Sequence, residues 1–379
     1  MKSTLRKVFL VTIIMAFFAI CFAICSSAAS YTITYYQGDT AKTKEIYSDT
    51  EEVTLRTTRY CNSNTFFGWC ADDGTIYAPG SKITLTRDMK VYEACGKIAN
   101  NESEMLSYFK ESSWTYIKLG RDMSISQKLS AESGWQVHVL DLNGHNLTIT
   151  NTEWGTGGTR NGVVFVGNGT INFTSTKPDN GAFYQSAIHG YGDTGGTVAP
   201  QRLWIGKGVK IVSNVPLVRM TNDATNMSPT QFLEIWGDVT CPYLAWTQGI
   251  DDVDVNIYPG AKVNITSIKF PLVRDVSAYD DVKIMGLNIY GGTFTFPSDF
   301  KGFITDDEYL KDCFPVSING GTFNMDIAKY ISVDYKTVNN GNGTYSIEPN
   351  ICPSSPTQKH KYLATDITVT CEEDGYIDY

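Results

Sequence analysis

The phrase DLNGHNLTI at 141–149 returns in altered form through the middle of the chain. It recurs as FVGNGTINF at 165–173, LWIGKGVKIV at 203–212 and FLEIWGDV at 232–239. Further copies are VNIYPGAKVNI at 255–265, LNIYGGTFTF at 287–296 and VSINGGTFNM at 316–325. In each, an apolar residue at every second place meets a glycine turn, and in most the alternation resumes beyond it. Alternation at period two puts one side of a strand in a core. A glycine at the bend suits backbone that a Cβ would crowd. The glycines Gly144, Gly169, Gly208, Gly237, Gly260, Gly292 and Gly321 are 25, 39, 29, 23, 32 and 29 residues apart, a loose period within the range of stacked repeats. The expected fold is all-β: a parallel solenoid in which each coil buries its inward side chains against the next. A β-sandwich is the rival, but its strands would break every 8–12 residues or so.

The chain before this region has three parts. Lys2, Arg6 and Lys7 precede the apolar run VFLVTIIMAFFAICFAIC and the small residues SSAAS, which reads as a secretory signal over 1–29. Its loss would take the formal charge from -9 to -12, because that segment holds three basic and no acidic residues. An acidic chain without clustered Lys and Arg argues against nucleic acid as a partner. Membrane contact is expected only through the signal segment before cleavage. Residues 30–97 then carry aromatic-rich strands broken by Asp-Gly and Pro-Gly turns, a small β-rich domain with Trp69 and Phe67 in its core. At 98–113, Asn101 followed by Glu104 is a capping-box signal, and Met105, Leu106 and Phe109 share a helical face. A helix there would cover the open strand edges and core of the first coil.

Two stretches resemble known families. The run 66–95, with GWC, DGT at 73–75, Tyr77, Gly80 and VYEA at 91–94, is similar to the Listeria–Bacteroides repeat, also called the InlB B-repeat. That resemblance implies a β-grasp-like module of bacterial surface proteins with no chemistry of its own; Cys95 stands where that family usually has Trp. The opening WTYIKLGRDMSI at 114–125 and WQVHVLDLNGHNLTI at 135–149, together with the later GGTF phrases, resembles pectate-lyase-like β-helices of bacterial surface proteins. This implies a right-handed parallel β-helix over 98–348, finished by a GGTF coil, a short helix and a hairpin. Ile327, Tyr330 and Ile331 have helical spacing, and NNGNG at 339–343 between YKTV and TYSI is a hairpin turn. Residues 349–379 read as a Pro/Ser linker, and HKYLATDITVTCEEDGYIDY resembles the first half of a small Cys/His module whose remainder is expected beyond Tyr379.

Candidate chemistry is sparse. Seven cysteines follow the signal segment, and one pair among Cys61, Cys70 and Cys95 could be bridged in an oxidising exterior. Cys241 and Cys313, among coil residues, read as buried thiols. Cys352, His360 and Cys371 form at most a partial zinc set. An enzyme on this scaffold needs paired carboxylates or a base beside a bound cation. Asp251, Asp252 and His189, in QGIDDVDV and AIHGYGD, are the candidates, with Arg219 as a further cation. His189-Gly190 and the Asp pair are similar to polygalacturonase motifs but stand in the reverse order, and the downstream Arg-x-Lys is missing. Asp251, Asp252 and Asp254, or Asp280 and Asp281, could face calcium, though no recognised loop surrounds them. Trp154, Tyr184, Tyr191 and Trp246 are read as exposed rings in connections, able to stack on sugars or a protein. No catalytic, cofactor or metal set emerges. The expected role is that of a secreted or cell-surface bacterial protein, non-catalytic, in adhesion or in binding an extracellular glycan or surface protein. The alternative is a polysaccharide lyase or glycoside hydrolase.

Overall fold

The computed structural model describes residues 30–38, 40–48, 51–62, 64–111, 115–130, 137–150, 154–156, 162–176, 186–192, 201–222, 231–248, 253–275, 285–304 and 315–350. The fold class is all-β: among these residues one α-helix, Glu102–Phe109, and one 3-10 turn, Ala328–Tyr330, accompany the strands. From Thr115 onward the chain visits three sheets in a fixed order. Val137–Asp141 lies in the first sheet, Asn146–Thr150 in the second and Trp154–Thr156 in the third, and Gly162–Val166 returns to the first. The same cycle is followed by Gln201–Ile205, Val209–Ser213 and Val218–Asn222, then by Gln231–Ile235, Asp238–Cys241 and Ala245–Gln248. Every ladder joining one of these strands to its counterpart in the next cycle is parallel. The opposed strands of a β-sandwich are therefore not what builds this region.

Register explains the alternation. In the first sheet, Ile117, Leu140, Phe165, Ile205, Ile235, Ile257, Ile289 and Ile318 stand above one another as Cα partners. All of them are buried. Met123, Leu147, Ile171, Ile211, Val239, Val263, Phe294 and Phe323 make the equivalent column in the second sheet. The third supplies Ile188, Val218, Ala245 and Val273. These columns meet in one continuous core. Each fully buried aliphatic side chain contributes on the order of 1.5–3 kcal/mol, so neighbouring cycles stabilise one another. The glycine between first and second sheets has positive φ at every copy except Gly237. Gly237 is needed for space instead: a Cβ there would lie 2.5 Å from the Val209 carbonyl oxygen.

Both ends of the stack are covered. The N-cap forms as the residues predict, Asn101 Oδ1 accepting from the Glu104 amide at 2.9 Å, whereas the reciprocal bond is displaced by one residue: Glu104 Oε2 accepts from the Asn100 amide at 2.8 Å. Met105 and Phe109 of the helix enter the core, with Leu106 packed beside them. Glu102 Oε1 takes the amides of Ser126 and Gln127, tying the helix to the first cycle. At the far end, Tyr335–Asn339 and Tyr345–Pro349 form the expected hairpin, which closes the second sheet by antiparallel pairing with Thr322–Phe323. The 3-10 turn carries Tyr330 against Phe303.

The first unit is not a separate bead. Ser30–Gln37 pairs with Thr40–Ser48 antiparallel and with Met89–Ala99 parallel, and Thr65–Ala71 flanks Met89–Ala99 on its other side. The long strand Met89–Ala99 then continues into the stack, Gly96–Ala99 pairing parallel with Tyr116–Leu119. One sheet thus runs from the N-terminal unit into the repeats. Trp69, fully buried, centres the unit's own core and donates Nε1–H to the Arg56 carbonyl at 2.6 Å. Cys61 and Cys95 form a disulfide, and Cys70 is a buried free thiol.

Candidate functional site

The outward column of the first sheet changes character partway up. Tyr116, Val139, Val164 and Trp204 succeed one another as Cα partners, followed by Glu234, Asn256, Asn288 and Ser317. The apolar half is covered by the N-terminal unit: Cys70, Tyr92 and Ala94 pack on Tyr116, Val139, Val164 and Val166, with Phe67, Ile76 and Trp204 alongside. Beneath the cover a polar cluster is satisfied within the repeats, and one backbone bond crosses to the N-terminal unit. Asp141, 3 % exposed, accepts from the Tyr116 hydroxyl at 2.7 Å and from the Asn143 amide at 2.9 Å, with Lys118 Nζ 3.8 Å away. The Asp73 carbonyl accepts from the Lys207 amide at 2.8 Å.

Above that cover the polar half forms a ridged face. Asn288 Nδ2 donates to Asn256 Oδ1 at 3.0 Å, a link along the stack. Phe232 and Asp254 occupy the parallel outward column, so Glu234 and Asp254 are diagonal neighbours on one face. A Cβ at Gly286 would stand 3.0 Å from Asp254 Oδ1 and 3.5 Å from Asn288 Nδ2, so this glycine leaves room between them. Beside the amides runs an aromatic column at the corner: Trp236 stacks on Tyr258 at 3.8 Å and 3°, and Tyr258 on Tyr290 at 5.4 Å and 25°. Arg87 of the N-terminal unit lies 6.0 Å from the Trp236 ring and forks onto Asp72 at 2.6 and 2.7 Å. Burial and then the charge of Glu234 raise the Tyr258 hydroxyl well above the usual phenol range, so it remains a donor. Because these rings cover one another, the column has one open end, Tyr290, which is 45 % exposed. Asn256 is 8 % exposed, so what this face offers a ligand is mainly the partly exposed Glu234 carboxylate and Asn288 amide, held on strands that neighbour the Asn256 strand on either side at about 4.8 Å each.

The residues singled out from sequence fall elsewhere. Asp251, Asp252, Asp280, Asp281, Tyr184, Cys313, Cys352, His360 and Cys371 lie outside the described residues. Asp254 is in the first sheet, whereas His189 and Arg219 pair with each other in the third. The structure therefore does not bring Asp254 and His189 onto one sheet face. Trp154 and Tyr191 lie in strands rather than connections. Trp246 is a correction to the exposed-ring expectation: it is 4 % exposed, in strand Ala245–Gln248 beneath the Arg219 guanidinium. Burial pushes the thiols of Cys70 and Cys241 far up, which removes them as nucleophiles. The residues that sequence reasoning missed are Glu234, Asn256 and Asn288. Their signal was present, one place before the last strand residue in FLEIWG, VNIYPG and LNIYGG.

No known family, no curated protein and no solved structure matches this chain. Among the described residues no helix is long and apolar enough to cross a membrane.

Proposed function

We propose that this chain is an exported, surface-displayed bacterial protein that binds an extracellular glycan or protein without transforming it. In this reading the repeats wind as a right-handed parallel β-helix, with a β-grasp-like module fixed to its side. The fixed order of three sheets and the in-register parallel ladders support the winding, and parallel crossovers are right-handed in nearly all proteins. The observation that carries the binding role is the change of the outward column from covered apolar residues to polar ones, with Glu234 and Asn288 partly exposed, Asn256 buried between them and the exposed ring of Tyr290 alongside. A rigid row of amides and carboxylates, held by strands rather than loops, needs no rearrangement to meet an extended partner.

Glu234 and Asp254, diagonal on that face, favour carbohydrate cleavage as the second reading, since two carboxylates flank the bond in most glycosidases. The two separate in one experiment. The purified protein is tested against arrayed glycans and surface proteins, and against the same polysaccharides for new reducing ends or unsaturated products. Binding without products, weakened about tenfold by N288A or Y290A, supports the proposal. Product formation lost in E234Q or D254N defeats it, as does retained binding in both ladder variants.

A further inference from the structure

Glu93 is a buried carboxylate, 5 % exposed, in the middle of the strand that joins the N-terminal unit to the stack. Its Oε1 accepts the backbone amides of Tyr60 at 2.5 Å and Cys61 at 2.9 Å. Its Oε2 takes no hydrogen bond from a described residue, and no described Lys, Arg or His lies within ion-pair distance of it. A buried anion without a cation is costly, and proteins place such groups beside a metal or a positive charge. What stands beside Glu93 is the Cys61–Cys95 pair: one carboxylate oxygen and the two sulfurs all lie within 4.8 Å of one another. The Asn64 carbonyl oxygen is close to both sulfurs, at 3.9 Å from Cys61 Sγ and 3.6 Å from Cys95 Sγ, so the pocket is polar.

We infer that Cys61, Cys95 and Glu93 form a zinc site when the disulfide is reduced, so that the same two segments are clamped by a covalent bond in one state and by a metal in the other. Zinc takes thiolate and carboxylate ligands in tetrahedral array, with Zn–S of about 2.3 Å and Zn–O of about 2.0–2.2 Å. Two sulfurs in that geometry stand about 3.7 Å apart, a separation that a broken disulfide reaches by small rotations of the two side chains. A small-molecule dithiol supplies the two electrons and two protons that convert the disulfide to two thiols, and is itself oxidised to a cyclic disulfide. Zinc then displaces the two thiol protons and takes the Glu93 carboxylate as third ligand, leaving the fourth position to water. The resulting cluster carries a net charge of -1 where Glu93 alone carried it, so no new uncompensated charge is buried. Cys70, though in the same unit, is not part of this group.

The test is zinc stoichiometry on the full chain, with the dithiol-reduced and the oxidised protein compared by competition with a colorimetric chelator. Reduced wild type should bind one equivalent more than the oxidised form, and one more than reduced C61S/C95S. Reduced E93Q keeps both thiols and an oxygen for the two amides, which guards against simple misfolding; its affinity should fall by roughly tenfold or more, the size expected from disturbing a ligand shell. Cadmium in place of zinc should give a thiolate-to-metal absorption band in reduced wild type that C61S/C95S lacks. Equal zinc uptake by the oxidised and reduced forms would overturn the assignment, and so would equal affinity in wild type and E93Q.

Discussion

Gly74 and Gly206 meet backbone to backbone: a Cβ on Gly74 would lie 2.5 Å from the Gly206 Cα. One belongs to a turn of the N-terminal unit and the other to the bend of a repeat more than a hundred residues later. Their contact seats the unit on the outward face of the first sheet. A methyl on Gly206 would stand 2.8 Å from the Phe165 carbonyl oxygen and 2.9 Å from Gly74 Cα, and backbone cannot yield as a side chain can. Gly206 has no positive φ, so the effect of G206A is steric alone. It should cost about 1–3 kcal/mol in urea unfolding, the usual range for overpacking, and speed limited proteolysis within residues 30–97.

Tyr116, which packs under the N-terminal unit, donates to Asp141 within the repeats. Burial first, then the Asp141 charge, raises the Tyr116 hydroxyl well above the phenol range, so it stays protonated and donates at neutral pH. Y116F should destabilise by about 1–3 kcal/mol, because it withdraws a donor from a buried carboxylate. D141N should cost less when combined with Y116F than when measured alone, and a double-mutant cycle by denaturation reads that coupling.

His138 lies under the N-terminal helix, its ring stacked on Phe109 at 4.0 Å. Burial lowers its pKa from 6.5 to about 4. The unfolded chain therefore takes up this proton first as pH falls. Stability from keeping the ring neutral is complete above about pH 6.5 and is lost progressively toward pH 4, at up to about 1.4 kcal/mol per pH unit. Unfolding midpoints across that window should drop in wild type and drop less steeply in H138L.

Asn101 caps the helix that closes the first cycle. N101A should cost about 1 kcal/mol and N101D much less, since Asp keeps the accepting oxygen. Amide exchange at Glu104, whose N–H the cap holds, should accelerate in N101A and remain slow in N101D.

The alternation in FVGNGTINF and its kin dictated which residues turn inward, because a period of two admits one choice of buried side once strands form. The Asn101–Glu104 cap and the NNGNG hairpin were equally legible, being local chemistry completed within a few residues. Local pattern could not say that Tyr116, Val139 and Val164 pack under the N-terminal unit while Glu234 and Asn288 stay partly exposed and Asn256 is buried between them. A strand apolar on both faces looks the same whichever partner covers it. Nor could spacing choose Cys95 over Cys70 as the partner of Cys61; the pleat of one strand and the path of a loop made that choice. Trp246 shows the same limit, since a ring in an apparent connection was drawn into a third sheet that only the stacking of whole cycles creates. Sequence settled the periodic interior because it is repeated in every coil. Tertiary structure alone decided the exterior, because what covers a face is set by contacts between residues far apart along the chain.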